Sequence, residues 1–375
     1  MDSKQGGWHE TSAGIYYVHA GAVQFYDDWD HWRNGFCRLL EMSESDAKRL
    51  IQEIVTTHSQ DSFQKSSTED KIERTKQVFR NNVAKNGGKR SVDFSKCGMA
   101  FDGSPPDMAF AGSISGNQER VIVGNSHLQY AWQVDAATNK LVRADSVNYD
   151  ELYFQDPQQP HLGMRNYIAD QDWRLEKAHR QLRIVLANCN LGNDKKTALD
   201  VGSAVGYFRK ALAESGFTHY GLEQSSDAIK ICASKFGFET IFGEIADLPA
   251  IAPQLLGKID LITLWDVIEH LDDGLITVNI LKQFLSEKGV LVIRTPNLVS
   301  LEYEILGDYY YSFKLDHIKY YSPRSLDALA TACGMCQIYL ETTSHIFKGL
   351  FGIDYVHQCL LEGKGADIIA IYTRG

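Results

Sequence analysis

The segment Asp200-Val201-Gly202-Ser203-Ala204-Val205-Gly206 sets a carboxylate and two glycines where an apolar run gives way to a helical pattern. Glycine at 202 and 206 lets the backbone turn tightly and lets a ligand approach the main chain. The Gly-x-Gly-x-x-Gly spacing expected of a nicotinamide site is absent, and so is a P-loop. Glu223 ends the next apolar run, where a carboxylate can accept hydrogen bonds from both hydroxyls of a ribose, each contributing roughly 1.5–3 kcal/mol. Asp266, Glu269 and His270 form a third group, to which His317 can return from a later loop. Two carboxylates and two imidazoles suit a divalent cation; either histidine also suits proton transfer near neutral pH. The alternative is structural: Glu269 and His270 cap a helix and hold a loop. Trp265, Tyr303, Tyr309, Tyr310, Tyr311 and Phe313 offer aromatic faces that attract a cation, or that fill a core.

These residues need a scaffold, and the periodicity supplies one. From about residue 165 the chain alternates helical patterns with short β-branched runs, which predicts a parallel sheet covered by helices. Leu175, Ala178, Leu182, Val185 and Leu186 fall on one helical stripe. Strands are predicted at 198–201, through Tyr220 to Glu223, and at 240–242, 259–265, 290–295, 337–341 and 367–372; helices at 207–215, 227–235, 275–285 and 324–332. Gly216 and Gly237 are placed to end helices in the left-handed conformation. Upstream, residues 43–85 read as mainly helical, and 130–134 with 141–144 flank Thr138-Asn139-Lys140 as a hairpin. The expected organisation is an N-terminal α+β accessory domain over 1–155 and a catalytic domain over 156–375.

Composition narrows the function classes. The 375 residues are 44% hydrophobic and 23% charged, as in an ordinary globular protein. The opening MDSKQGGWHE leads into no apolar stretch, so neither a secretory signal nor a spanning segment of about 20 apolar residues is expected, and the expected location is cytoplasmic. The seven cysteines are odd in number and scattered, which suits free thiols better than a disulfide framework; Cys333 and Cys336 form a CxxC without a second pair. A net charge of −10 argues against a nucleic-acid partner. No membrane partner is expected either.

Taken in order, these landmarks resemble the class I S-adenosylmethionine-dependent methyltransferases, in the branch of the ubiquinone-type O-methyltransferases and sugar C-methyltransferases. Asp200–Phe208 resembles the glycine-rich first motif, with Ala204 where many relatives have a third glycine, and Glu223 falls where the ribose-binding acid falls. The run from Phe242 to Pro249 resembles the adenine segment, with Glu244 in place of the usual Asp. Asp260–Leu271 resembles the fourth motif, and Thr295-Pro296-Asn297 and Asp316–Pro323 resemble later landmarks. Tyr149–Phe154 is similar to the segment after a cysteine-rich zinc module, but the cysteine pairs of that module are missing. The resemblance implies an α/β fold: a Rossmann-like seven-stranded sheet with helices on both faces. It implies S-adenosylmethionine contacts from Asp200, Gly202, Ser203, Gly206, Glu223, Gln224, Glu244, Ile245, Trp265 and Asp266. The expected reaction is methyl transfer to a small-molecule acceptor, most simply a hydroxyl, with His270 or His317 as base. Carbon and nitrogen acceptors stay open. A cation on Asp266, Glu269, His270 and His317 would match the arrangement in small-RNA 2′-O-methyltransferases, and a cofactor-binding inactive scaffold is a further alternative.

Overall fold

In a computed structural model, the described residues are the strand backbones at 7–11, 14–19, 22–28, 132–135 and 140–143, most of 43–85, 167–168, 171–191, 196–271, 273–306, 310, 312, 317, 319–343 and 363–375. The chain opens with an antiparallel meander, β1 (Gly7–Thr11), β2 (Gly14–His19) and β3 (Ala22–Asp28), which the helical and hairpin expectations upstream had not included. Helices α1 (Glu44–His58) and α2 (Thr68–Lys85) fill the stretch expected to be helical. They pack against each other, and Leu50 and Ile54 of α1 and Phe79 of α2 are buried. The hairpin forms as β4 (Trp132–Asp135) and β5 (Lys140–Arg143). The expected boundary at 155/156 and the segment Tyr149–Phe154 lie outside the described residues.

The remainder is the expected α/β unit. Its elements are α3 (Gln171–Asn188), β6 (Thr197–Val201), α4 (Tyr207–Glu214), β7 (Thr218–Glu223), α5 (Ser226–Phe236), β8 (Ile241–Phe242) and α6 (Leu248–Ile251), then β9 (Ile259–Trp265), α7 (Gly274–Phe284), β10 (Leu285–Pro296), α8 (Leu301–Leu306), α9 (Pro323–Ala332), β11 (Met335–Thr343) and β12 (Asp367–Arg374). The seven strands lie in the order β11-β12-β10-β9-β6-β7-β8. All neighbours are parallel except the pairs that β12 makes with β10 and β11.

Alternation along the strands builds two cores. Ala198, Leu261, Val290, Val292, Ile369 and Ile371 face α3 and α4, while Leu199, Ile262, Leu291, Ile293, Ile368 and Ala370 face α7 and α9. Both faces of the sheet are therefore covered, and β10 and β12 carry the unbroken apolar runs Val290–Ile293 and Ile368–Tyr372. On α3 the expected stripe is only partly buried: Ala178, Leu182 and Val185 face the sheet, whereas Leu186 is 38% exposed at the end of the face. Gly216 and Gly237 take φ of 79° and 71° after α4 and α5, as expected for left-handed helix ends. Cys189, Cys232, Cys333 and Cys336 are free thiols.

Strand order reverses beside β6, whose successors lie on one side through β7 and on the other through β9. Ligands of open α/β sheets bind outside the carboxyl ends of the strands at such a switch point. The glycine turn after β6 and the turn after β9 both stand there.

Candidate active site

The turn after β6 is wound unusually tightly. Gly202 and Gly206 have φ of 65° and 88°, and between them Ala204 also takes a positive φ of 46°. Ala204 thus adopts the conformation for which a third glycine would be the natural residue. The turn is tied to β7: Gly202 N–H and Ser203 N–H both donate to the Leu222 carbonyl at 2.9 and 3.1 Å, and Ala204 N–H donates to Glu223 Oε2 at 2.7 Å. The structure adds a packing reason for both glycines. A Cβ at 202 would lie 2.6 Å from Val267 Cγ2, and one at 206 would lie 2.6 Å from Cys232 Sγ.

Glu223, 6% exposed, is turned back onto the chain. Besides Ala204 N–H, its carboxylate accepts the Gln224 and Ser225 amides, each at 2.9 Å. It therefore fastens the glycine turn to the start of α5, a second task that its place in sequence did not reveal. Glu223→Gln is expected to weaken this fastening, lowering stability by about 1–3 kcal/mol because one amide faces an N–H₂ group instead of an oxygen. Urea denaturation would measure it, and an unchanged midpoint would remove the fastening role.

Asp200 lies at 3% exposure beneath the turn and accepts a hydrogen bond from Thr263 Oγ1 at 2.8 Å. Burial pushes its carboxyl up to about 7; the Thr263 bond and the Arg209 charge pull it back, and Glu223 pushes it further up. Gln224 and Glu244 are exposed, Ile245 is half-buried, and Glu244 shares a capping box with Asp247. Ser203 is buried, and Trp265 packs at a tilt against Phe208 with ring centroids 4.9 Å apart.

The turn after β9 carries the other half of the site. Asp266 takes φ of 59°, and Arg294 of β10 and Lys177 of α3 both reach its carboxylate, the Lys177 ammonium at 3.4 Å. Burial works against the Asp266 charge, but Arg294 and Lys177 outweigh it and hold the carboxyl below the usual range. Burial and the Arg294 charge lower Lys177 to about 8, against the pull of Asp266. Arg294 also bonds Asp367 of β12.

Glu269 is fully buried, and Thr295 Oγ1 donates to it at 3.0 Å. Burial and the nearby Asp266 charge push its carboxyl well above the usual range. His270 meets His317 edge to face with centroids 4.8 Å apart, and ligand atoms of Glu269, His270 and His317 lie within 4.8 Å of one another. The fourth expected cation ligand, Asp266, is not part of this group, and Arg294 and Lys177 engage its carboxylate. Of the aromatic run, Tyr303 and Tyr310 pack together at 5.7 Å with Tyr310 buried in the core; Tyr309, Tyr311 and Phe313 lie outside the described residues.

Sequence reasoning missed Lys177, Arg294, Asp367 and Tyr167. Tyr167 lies between Arg174, 3.7 Å above its ring, and Tyr207 of α4, at 5.7 Å. Arg294 did leave a trace, as a charge closing the otherwise apolar run Val290–Ile293.

Residues 173–335 match the family model described as a methyltransferase domain. A ubiquinone biosynthesis O-methyltransferase of Psychrobacter arcticus is 26% identical over 155 residues, which span 38% of this chain and 60% of that relative. Among solved structures, an S-adenosylmethionine-dependent methyltransferase from Archaeoglobus fulgidus is similar at 16% identity and a TM-score of 0.42, over 55% of this chain and 98% of that one. One from Clostridium acetobutylicum gives 13% and 0.41, over 56% and 97%. Residues 173–335 are thus similar to a methyltransferase domain, and the chain spans less than two thirds of the length of the curated relative that it matches.

Proposed function

We propose that the protein transfers a methyl group from S-adenosylmethionine to a hydroxyl of a small-molecule acceptor. The observation that carries this reading is the meeting of the β6 and β9 turns where strand order reverses, with Asp200 and Glu223 on one side and His270 and His317 on the other. The residues fit the cofactor chemically. Asp200 is a buried carboxyl whose charge is costly until a cation arrives, and Glu223 ends β7 as an acceptor beside the glycine turn. Asp200, the 202–206 turn and Glu223 would hold the cofactor, whose sulfonium supplies the methyl group.

The chain has to position and to move a proton. Alignment for in-line displacement contributes on the order of 7–11 kcal/mol. His270 or His317 receives the hydroxyl proton as the new bond forms. Trp265, propped by Phe208, would border the reacting centre. Whichever of His270→Ala and His317→Ala removes the base is expected to lower turnover by about 10²–10⁴-fold with little change in cofactor affinity. Incubation with methyl-labelled cofactor and separate small-molecule, RNA and protein fractions tests the acceptor class. Label in the small-molecule fraction supports the reading, and label confined to RNA sinks it.

The grouping of Glu269, His270 and His317 favours a second reading, in which these three hold a divalent cation that orients the acceptor. One carboxylate and two imidazoles suit a first-row divalent metal. Manganese and zinc titrations should show binding to the wild type that falls at least about tenfold in His317→Ala, since each ligand is needed. Equal binding by both proteins would dismiss the cation and leave the histidines as acid–base groups.

A further inference from the structure

Arg294 is a buried charge in an otherwise apolar setting. It lies at 7% exposure at the end of β10, next to the apolar run Val290–Ile293, and it bridges Asp266 and Asp367. Buried ion networks cost much of what they return, and apolar replacements of similar volume are often neutral or stabilising. Its contacts converge on one place. The guanidinium takes the Asp266 carboxylate while the Arg294 carbonyl accepts the Asp266 amide at 3.0 Å. Asp266 needs such a hold, because a non-glycine residue at φ 59° persists only when its surroundings over-determine it. The next residue, Val267, fills the space beside Gly202 that a side chain there would need.

We propose that Arg294 is a positioning residue of the site: by gripping Asp266 it fixes the turn after β9, and through Val267 that turn fixes the glycine turn at 202–206. Asp367, on the neighbouring strand β12, anchors the far side of the guanidinium, and Lys177 of α3 takes the other Asp266 oxygen. The inference rests on the reading that the glycine turn receives the cofactor, but the mechanical link between the two turns can be measured without it.

The test compares Arg294→Met, Arg294→Lys and the double variant Arg294→Met/Asp367→Asn. Arg294→Met leaves Asp367 buried without its cation, so its thermal midpoint should fall; the double variant removes that charge and should recover most of the loss. Amide exchange of residues 202–206 in the ligand-free protein should nonetheless stay at least about tenfold faster in the double variant than in the wild type. Its affinity for S-adenosylmethionine and S-adenosylhomocysteine should stay about tenfold weaker by calorimetry. Arg294→Lys, a point charge that cannot fork between two carboxylates, should give an intermediate exchange rate, and it carries the test if the methionine variants do not fold. A double variant in which exchange and affinity recover together with the midpoint would overturn the proposal, as would wild-type exchange in every variant. Should the wild type bind neither ligand, the functional reading falls while exchange still decides the link.

Discussion

Asp200→Asn is expected to make the protein more stable and a worse binder of S-adenosylmethionine. Asp200 is 3% exposed and burial pushes its carboxyl up to about 7, so the folded state binds a proton that the unfolded chain, with a value near 3.9, releases. Stability from this group is therefore fully present below about pH 4 and is lost as pH rises to about 7. The asparagine variant should lack that slope. It keeps an oxygen for Thr263 Oγ1 to donate to, and at pH 8 it should exceed the wild type by up to about 4 kcal/mol in urea denaturation. Affinity should move the other way. A cation at the carboxyl ends of β6 and β9 favours the carboxylate, so wild-type affinity for the cofactor should rise from pH 6 to pH 8 and then level off. The variant should bind about 10- to 100-fold more weakly at pH 8, with little pH dependence. A variant that binds as tightly as the wild type would remove Asp200 from the cofactor site, and one less stable at pH 8 would overturn the cost assigned to its buried charge.

Gly202→Ala should destabilise the protein, for two separable reasons. The new Cβ lies 2.6 Å from Val267 Cγ2, and overpacking of this kind costs about 1–3 kcal/mol. It must also hold φ at 65°, a left-handed conformation that costs an L residue roughly 1–2 kcal/mol. Together they predict a loss of about 2–5 kcal/mol. Val267→Ala in the same chain should return the packing part and leave the conformational part, so the double variant stays below Val267→Ala alone. If the two substitutions are additive, the contact between the turns is not what makes glycine necessary at 202.

Much of the scaffold was legible in the sequence because its causes are local. Strands at 198–201 and 259–265 follow from short, mainly apolar runs close to a glycine, and both glycine helix ends follow from the freedom of that residue at positive φ. The Asp200–Gly206 turn and the acid ending β7 could be found for the same reason, since each occupies a fixed place beside a strand end. The meander at 7–28 escaped, because helical and hairpin signals upstream drew the reading and short strands carry little periodicity.

The charges are where the sequence fell short. Asp266 looked like a cation ligand because Glu269 and His270 follow it closely, but Lys177 and Arg294 approach it from 89 and 28 residues away and engage its carboxylate. Glu223 looked like a residue free to face a ribose, and it also fastens the glycine turn. The meeting of His270 and His317 was foreseen as an option of residue type; only the packed chain sets their rings 4.8 Å apart. By itself the sequence determined the α/β class, the places of the seven strands from residue 197 onward and the turn chemistry, because these depend on neighbours a few residues apart. Which carboxylate carries its charge, which is pushed toward neutrality and which residues grip the two turns were decided by the tertiary structure, because burial and Coulomb interaction depend on distance in space and local dielectric, and spacing along the chain encodes neither.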